Sequence, residues 1–249
     1  MSEMRILHMY ADMLDLYGDG GNMEIIKYRC EKRGIECIID KYSVDSGIPD
    51  FGSYDLIYIG GGADLEQQHI SADLLRCRDG IKSAYEKGTF LFLICGGYQL
   101  MGKYYRDADG NDIPGLGLFD YFTVAPASRK KRCIGNVVIR TTFTGSTVDI
   151  VGFENHGGQT QEVKTPLGDV LCGNGNCLKS PHEGYFEKNV IATYMHGPCL
   201  AKNPEVSDYI IGYCLDRRNG SHTELPKLDD ELEIKCRSVM TQRLIGKNN

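Results

Sequence analysis

No apolar run in the chain approaches the roughly 18 residues that a membrane-spanning helix needs. The opening Met1-Ser2-Glu3-Met4-Arg5 passes directly into a strand-like segment, with no apolar leader. Both absences predict a cytoplasmic protein. Internal repeats, low-complexity tracts and Pro/Ser-rich linkers are missing too, so residues 1–249 read as a single domain. Positive charge is in deficit. Against 34 Asp and Glu stand 28 Lys and Arg, a net charge of −6, which argues against nucleic acid or an anionic membrane surface as the main partner. The C-x₂-C knuckles of structural zinc sites are absent. Cys172, Cys177 and His182 are spaced by four residues, and no metal is expected on them. Neither the Walker spacing nor G-x-G-x-x-G occurs, so no phosphate loop is expected at the glycine clusters.

What is present is a globular composition, 41% hydrophobic and 25% charged, sufficient for a sizeable core. Glycine is abundant at 30 residues and falls at strand ends, which suggests tight functional turns. Ten cysteines without a secretory leader predict reduced thiols, several of them small buried hydrophobes and one a possible nucleophile.

Strands are expected at 5–10, 35–39, 54–59 and 89–94, with helices at 22–33, 64–87 and 97–105. The unbroken apolar run at 89–94 suits a strand buried on both faces of a parallel sheet. The second half reads as strands at 118–124, 134–142, 147–154 and 190–195, several of them antiparallel, closed by helices at 204–217 and 229–242. The expectation is a three-layer α/β fold: a mostly parallel central sheet, helices on both faces, and extra antiparallel strands in the second half.

The sharpest chemical signal is Leu93-Ile94-Cys95-Gly96-Gly97-Tyr98-Gln99. A buried strand ends at a cysteine, two glycines follow, and a helix begins: the form of a nucleophile elbow. The elbow presents the side chain at the carboxyl edge of the sheet, and the helix N-terminus favours a thiolate. The bland alternative is a buried cysteine before a glycine-rich turn. Ile59-Gly60-Gly61-Gly62 offers a backbone that something can approach closely, and one use is a second oxyanion donor beside Cys95. A cysteine nucleophile needs a base. Of the six histidines, His8 reads as core, His69 lies in a helix or loop, and His182 and His222 read as solvated. His156 and His196 follow apolar strands and precede glycine. His196 is the better base, and His156, in Phe153-Glu154-Asn155-His156-Gly157-Gly158, is placed to line the pocket. The basic run Arg129-Lys130-Lys131-Arg132 reads as a solvated loop in which one member can bind a carboxylate.

Taken together, the Cys-Gly-Gly-Tyr-Gln elbow, the triple glycine, Glu154-Asn155-His156-Gly157-Gly158 and His196-Gly197-Pro198 resemble the class I glutamine amidotransferases, in their cobyric-acid-synthase-like branch. Within that branch the whole chain, in motifs and length, resembles the GatD subfamily, the glutaminase subunits of lipid II isoglutaminyl synthases. Asp12, Leu14, Leu16, Tyr17, Asp19, Gly21 and Asn22 match that subfamily, as do 59–67 and 151–158. The resemblance covers nearly the whole chain. It implies that Cys95 attacks the side-chain amide of L-glutamine and that His196 carries the proton. Backbone N–H groups at Gly61, Gly62 and Gly96 would hold the oxyanion. Arg132, Gln99, Asn155 and His156 would contact substrate. It also implies a heterodimer with a MurT-like Mur-ligase subunit that receives the ammonia, binds ATP and Mg²⁺, and amidates the α-carboxyl of D-glutamate in the lipid II stem peptide; no cofactor is expected in this chain.

Two departures from the pattern stand out. Leu93 occupies a position where many class I members have glycine. Pro198 stands where the usual H-x-E motif has its carboxylate, so the acid orienting His196 is expected from elsewhere: from Asp19 or Glu154, or, as the favoured source, from the partner. The rival readings are a glutaminase for a cobyrinate-like acceptor, a non-catalytic interaction subunit, and a cysteine peptidase. Intact Cys95 and His196 disfavour the second, and the Glu-Asn-His-Gly-Gly stretch disfavours the third.

Overall fold

The computed structural model describes residues 2–128 and 131–246; Met1, and Arg129 and Lys130 of the basic run, lie outside the described residues. The first half alternates strands and helices: β1 (Glu3–Met9), α1 (Gly21–Glu31), β2 (Glu36–Tyr42), β3 (Leu56–Ile59), α2 (Asp64–Arg76), α3 (Arg78–Glu86), β4 (Phe90–Ile94) and α4 (Gly96–Met101). Short strands follow: β5 (Tyr104–Arg106), β6 (Asp112–Pro114), β7 (Phe122–Val124), β8 (Cys133–Thr141), β9 (Val148–His156), β10 (Gln159–Gln161), β11 (Gly168–Cys172), β12 (His182–Glu183), β13 (Tyr185–Glu187), β14 (Val190–Thr193) and β15 (Met195–His196). Helices α5 (Pro204–Asn219) and α6 (Glu231–Ile245) complete the chain.

The central sheet has the order β13-β14-β4-β3-β1-β2. Its pairings are parallel except at the β13 edge. From β1 the chain steps outward to β2 through α1, and in the opposite direction from β3 to β4 through α2 and α3. Right-handed crossovers therefore put these helices on opposite faces. All five residues of β4 have zero relative exposure, as its uninterrupted apolar sequence requires of a strand covered on both sides.

The expected extra strands exist, but most of them leave the central sheet. One additional sheet runs β10-β7-β5-β6 and another β12-β11-β8-β9-β15. The strand expected at 190–195 splits between two sheets. β14 pairs with β4, and β15 pairs antiparallel with β9, setting His196 opposite Phe153. Buried Glu183 makes the transfer possible, since its carboxyl group accepts the Tyr194 N–H at 2.7 Å and the Thr193 hydroxyl at 2.9 Å, in place of a ladder partner. Other boundaries also move. The helix expected at 64–87 breaks at Cys77, whose buried thiol donates to the Tyr42 hydroxyl. The helix expected at 97–105 stops at extended Gly102, where Tyr121 packs too closely for a side chain.

Candidate active site

Four loops meet at the carboxyl edge of the central sheet, where parallel α/β folds place their sites. The loop after β4 carries Cys95 at φ 48° and ψ −97°, a backbone conformation that L-residues rarely adopt. Two main-chain bonds hold it: Cys95 N–H to Thr193 O at 2.9 Å and Gly97 N–H to Gly60 O at 3.1 Å. Gly97 must be glycine, because a Cβ there would lie 2.5 Å from Ile59 O. The strained elbow predicted from the sequence is therefore present.

His196 is 1% exposed. Its Nδ1 lies 2.8 Å from Asp19 Oδ2 and 3.0 Å from Oδ1. Its Nε2 is buried with no hydrogen-bond partner among the described residues, and the Cys95 side chain is a close neighbour of the ring. The expectation that a partner subunit supplies the acid is thereby corrected: Asp19 of this chain occupies that place. Glu154, the other candidate, is engaged elsewhere, its carboxylate accepting from Asn174 N–H at 2.7 Å and Gly175 N–H at 3.0 Å. Pro198 stands at the usual acid position and packs against the start of α1, where a Cβ on Gly21 would meet its ring at 2.4 Å. Asp19 arrives through the loop between β1 and α1, with its carbonyl accepting from the Tyr58 hydroxyl at 2.7 Å.

Gly61 sits between these three side chains. A Cβ on it would lie 2.8 Å from Asp19 Oδ2, 2.8 Å from His196 Cε1 and 3.3 Å from Cys95 Cβ. Its N–H donates to Asp19 Oδ2 at 3.1 Å. That corrects its expected role as an oxyanion donor, since the hydrogen is already committed. The N–H groups of Gly62 and Gly96 donate to no oxygen among the described residues, and a Cβ on Gly96 would lie 3.1 Å from Gly62 N. The two free donors are thus neighbours beside Cys95, an arrangement suited to a developing oxyanion.

Burial opposes a charged imidazole at His196, but the neighbouring Cys95 side chain and Asp19 outweigh it and raise its pKa to about 10. Burial also raises the pKa of Asp19, while the His196 and Gly61 hydrogen bonds pull it back.

A cavity of about 230 Å³ opens beside Cys95, walled in part by Gln99, Arg132, Asn155 and His156. All four residues expected to contact substrate line it, in different ways. Exposed Arg132 reaches Asn155 Oδ1 at 3.0 Å from the rim. Asn155 donates in turn to the Tyr17 hydroxyl at 2.5 Å. His156 is buried, with Nδ1 2.6 Å from Gly158 O and its ring stacked on Tyr194. Gln99 has both ends of its amide engaged, accepting from Gln67 at 2.9 Å and donating to Tyr194 at 3.2 Å.

Sequence reasoning missed Tyr17, Gln67 and Gly158. Tyr17 takes a left-handed φ of 60° and sets its ring edge-on to His196 at 4.9 Å. A Cβ on Gly158 would lie 2.2 Å from Gln99 Nε2. The clearest available signal was the Asp12–Asn22 pattern, in which Tyr17 and Asp19 were both matched positions. No group of His, Cys, Asp and Glu among the described residues is arranged to hold a metal, and no helix there is long and apolar enough to cross a membrane.

Comparison with known proteins adds to this geometry. The family model for the CobB/CobQ-like glutamine amidotransferase domain matches residues 5–204. The lipid II isoglutaminyl synthase (glutamine-hydrolysing) subunit GatD of Staphylococcus aureus strain N315 is 38% identical over 243 residues, covering 98% of this chain and 97% of the relative. The subunit of the same name from Streptococcus pneumoniae R6 is 35% identical over 232 residues, with 92% and 87% covered. Among solved structures, PurLQS from Thermotoga maritima superposes with a TM-score of 0.56 at 18% identity, covering 87% of this chain and 99% of that one. This last likeness concerns the fold alone.

Proposed function

The chain belongs to the CobB/CobQ-like glutamine amidotransferase family, and from that premise we propose that it is the glutaminase subunit of a lipid II isoglutaminyl synthase. The observation that carries the reading is the convergence of Cys95, His196 and Asp19 around Gly61. Glutamine enters the cavity with its side-chain amide beside Cys95, and its α-carboxylate meets Arg132 at the rim. The sulfur attacks the amide carbon, and the thiol proton resides on His196 Nε2. The carbonyl oxygen becomes an oxyanion held by the N–H groups of Gly62 and Gly96. His196 returns its proton to the nitrogen, the C–N bond breaks, and ammonia leaves. A γ-glutamyl thioester remains on Cys95. Water, deprotonated by His196, then releases glutamate and restores the thiol. Asp19 keeps the Nδ1–H directed away from sulfur and stabilises the imidazolium.

The ammonia passes to a MurT-like Mur-ligase subunit in a cytoplasmic heterodimer. That subunit, not this chain, would bind ATP and Mg²⁺ and activate the α-carboxyl of D-glutamate in the lipid II stem peptide. Near full-length similarity to two subunits of that name supports this assignment. The test is glutamate release from L-glutamine by wild type and Cys95→Ala, with and without the ligase subunit, followed by amidation of lipid II. Release that depends on Cys95 together with ATP-dependent amidation is the expected result. Absence of release from wild type in the presence of the ligase would overturn the reading.

A further inference from the structure

Gln67 lies in the first turn of α2, is 1% exposed, and takes no part in the steps above. Its Nε2 donates to two acceptors, Gly62 O at 3.2 Å and Gln99 Oε1 at 2.9 Å. The first belongs to the glycine loop after β3 and the second to the helix after the elbow. Gln67 therefore bridges the two segments that carry the free N–H groups of Gly62 and Gly96. Its carboxamide packs directly against the elbow, where a Cβ on Gly96 would lie 3.3 Å from Gln67 Cδ and Nε2.

The direction of the donors fixes how the amide lies. Gln99 Nε2 donates onward to the Tyr194 hydroxyl at 3.2 Å, leaving Gln99 Oε1 to accept from Gln67. The Tyr194 hydroxyl lies 2.6 Å from the Thr160 hydroxyl, which extends the chain inward. Gln67 Oε1 is left buried with no partner among the described residues. An unpaired buried acceptor is unfavourable, and an apolar side chain of the same length would avoid it. The two amide hydrogens are what this position supplies.

Glycine loops have wide conformational freedom, and a donor displaced from the oxyanion loses most of its value. Building on the glutaminase reading, we propose that Gln67 is the positioning residue of the oxyanion hole, tying the Gly62 carbonyl to α4 and so holding residue 62 where the Gly62 and Gly96 N–H groups converge on one oxygen.

The test uses Gln67→Met, which preserves length and volume but removes both hydrogens, and Gln67→Glu, which keeps polarity and serves if the methionine variant does not fold. Glutamine hydrolysis is measured with the ligase present, and Cys95 alkylation by iodoacetamide is measured in parallel. Alkylation displaces iodide at a saturated carbon and develops no carbonyl oxyanion. The expected result is a kcat lower by ~10- to 100-fold, less than the ~10²–10³ for deleting a donor outright, with KM within about threefold and alkylation unchanged. Wild-type kcat in either folded variant would overturn the proposal. So would a parallel fall in alkylation, which would mean that Gln67 merely supports the elbow. Wild type inactive under the same conditions would instead overturn the glutaminase reading beneath it.

Discussion

Asp19→Asn is the perturbation that most directly tests the triad. Asp19 Oδ2 receives His196 Nδ1–H at 2.8 Å and Gly61 N–H at 3.1 Å, and Oδ1 lies 3.0 Å from the same Nδ1. Asparagine keeps one acceptor and turns the other into a donor. With its oxygen toward His196 and Gly61, the hydrogen bonds persist but the charge that stabilises the imidazolium is gone. With its nitrogen toward His196, the imidazole must shift its proton to Nε2, where it can no longer accept from the thiol. The corresponding exchange in a serine-protease triad lowers kcat by about 10⁴. Loss of charge with geometry kept should cost less. The expected loss here is ~10²–10⁴ in kcat, or about 3–5 kcal/mol at ~1.36 kcal/mol per decade. The pKa of His196, raised to about 10 by Cys95 and Asp19 against the effect of burial, should fall. The assay is glutamate release by a coupled dehydrogenase, with the pH profile of Cys95 alkylation as a second readout. Wild-type kcat in Asp19→Asn would refute the reasoning. A variant inactive alone but fully restored by the ligase subunit would refute it as well, and would put the acid on the partner.

Two further predictions follow from the same geometry. Gly61→Ala should lower kcat by at least ~100-fold while the fold persists, because its Cβ would lie 2.8 Å from both Asp19 Oδ2 and His196 Cε1. Gly47→Ala, with nothing within 4 Å of the new Cβ, is the matched control, and equal kcat in the two variants would contradict the packing argument. Glu183 provides a pH dependence of stability. Burial pushes its carboxyl from 4.5 up to about 8, against the Tyr194 and Thr193 hydrogen bonds. The folded chain therefore retains a proton that the unfolded chain has lost, and stability declines as pH rises from about 4.5 to about 8. The decline is on the order of 3–5 kcal/mol, and Glu183→Gln should flatten it. Parallel urea-midpoint curves for the two proteins between those pH values would rule it out.

Much of this site was legible in the order of residues. The elbow could be read because its parts are contiguous: β4 ends at Cys95, and Gly96 and Gly97 follow. The triple glycine was legible for the same reason, as were His196 at a strand end and the alternation of strands and helices that builds the parallel sheet. Local steric and apolar patterns dictate these features, and neighbours along the chain suffice to specify them. The division of labour within the glycine loop was not legible. Gly61 N–H is committed to Asp19 and Gly62 N–H is free, a distinction between identical residues that arises only when the loop before α1 is folded across them. The acid could not be chosen from among Asp19, Glu154 and the partner, because Asp19 is 177 residues from His196 and Pro198 occupies the place where a local motif would have shown it. The split of 190–195 between two sheets depends on Glu183, which satisfies the Tyr194 N–H from outside the ladder. The sequence by itself determined the strand, the elbow and the candidate nucleophile and base at their ends, because strain, burial and capping act over a few residues. Which carboxylate orients the base, and which amides remain for an oxyanion, only the tertiary structure decided, since each hydrogen has one donor and the chain must close before its acceptor is known.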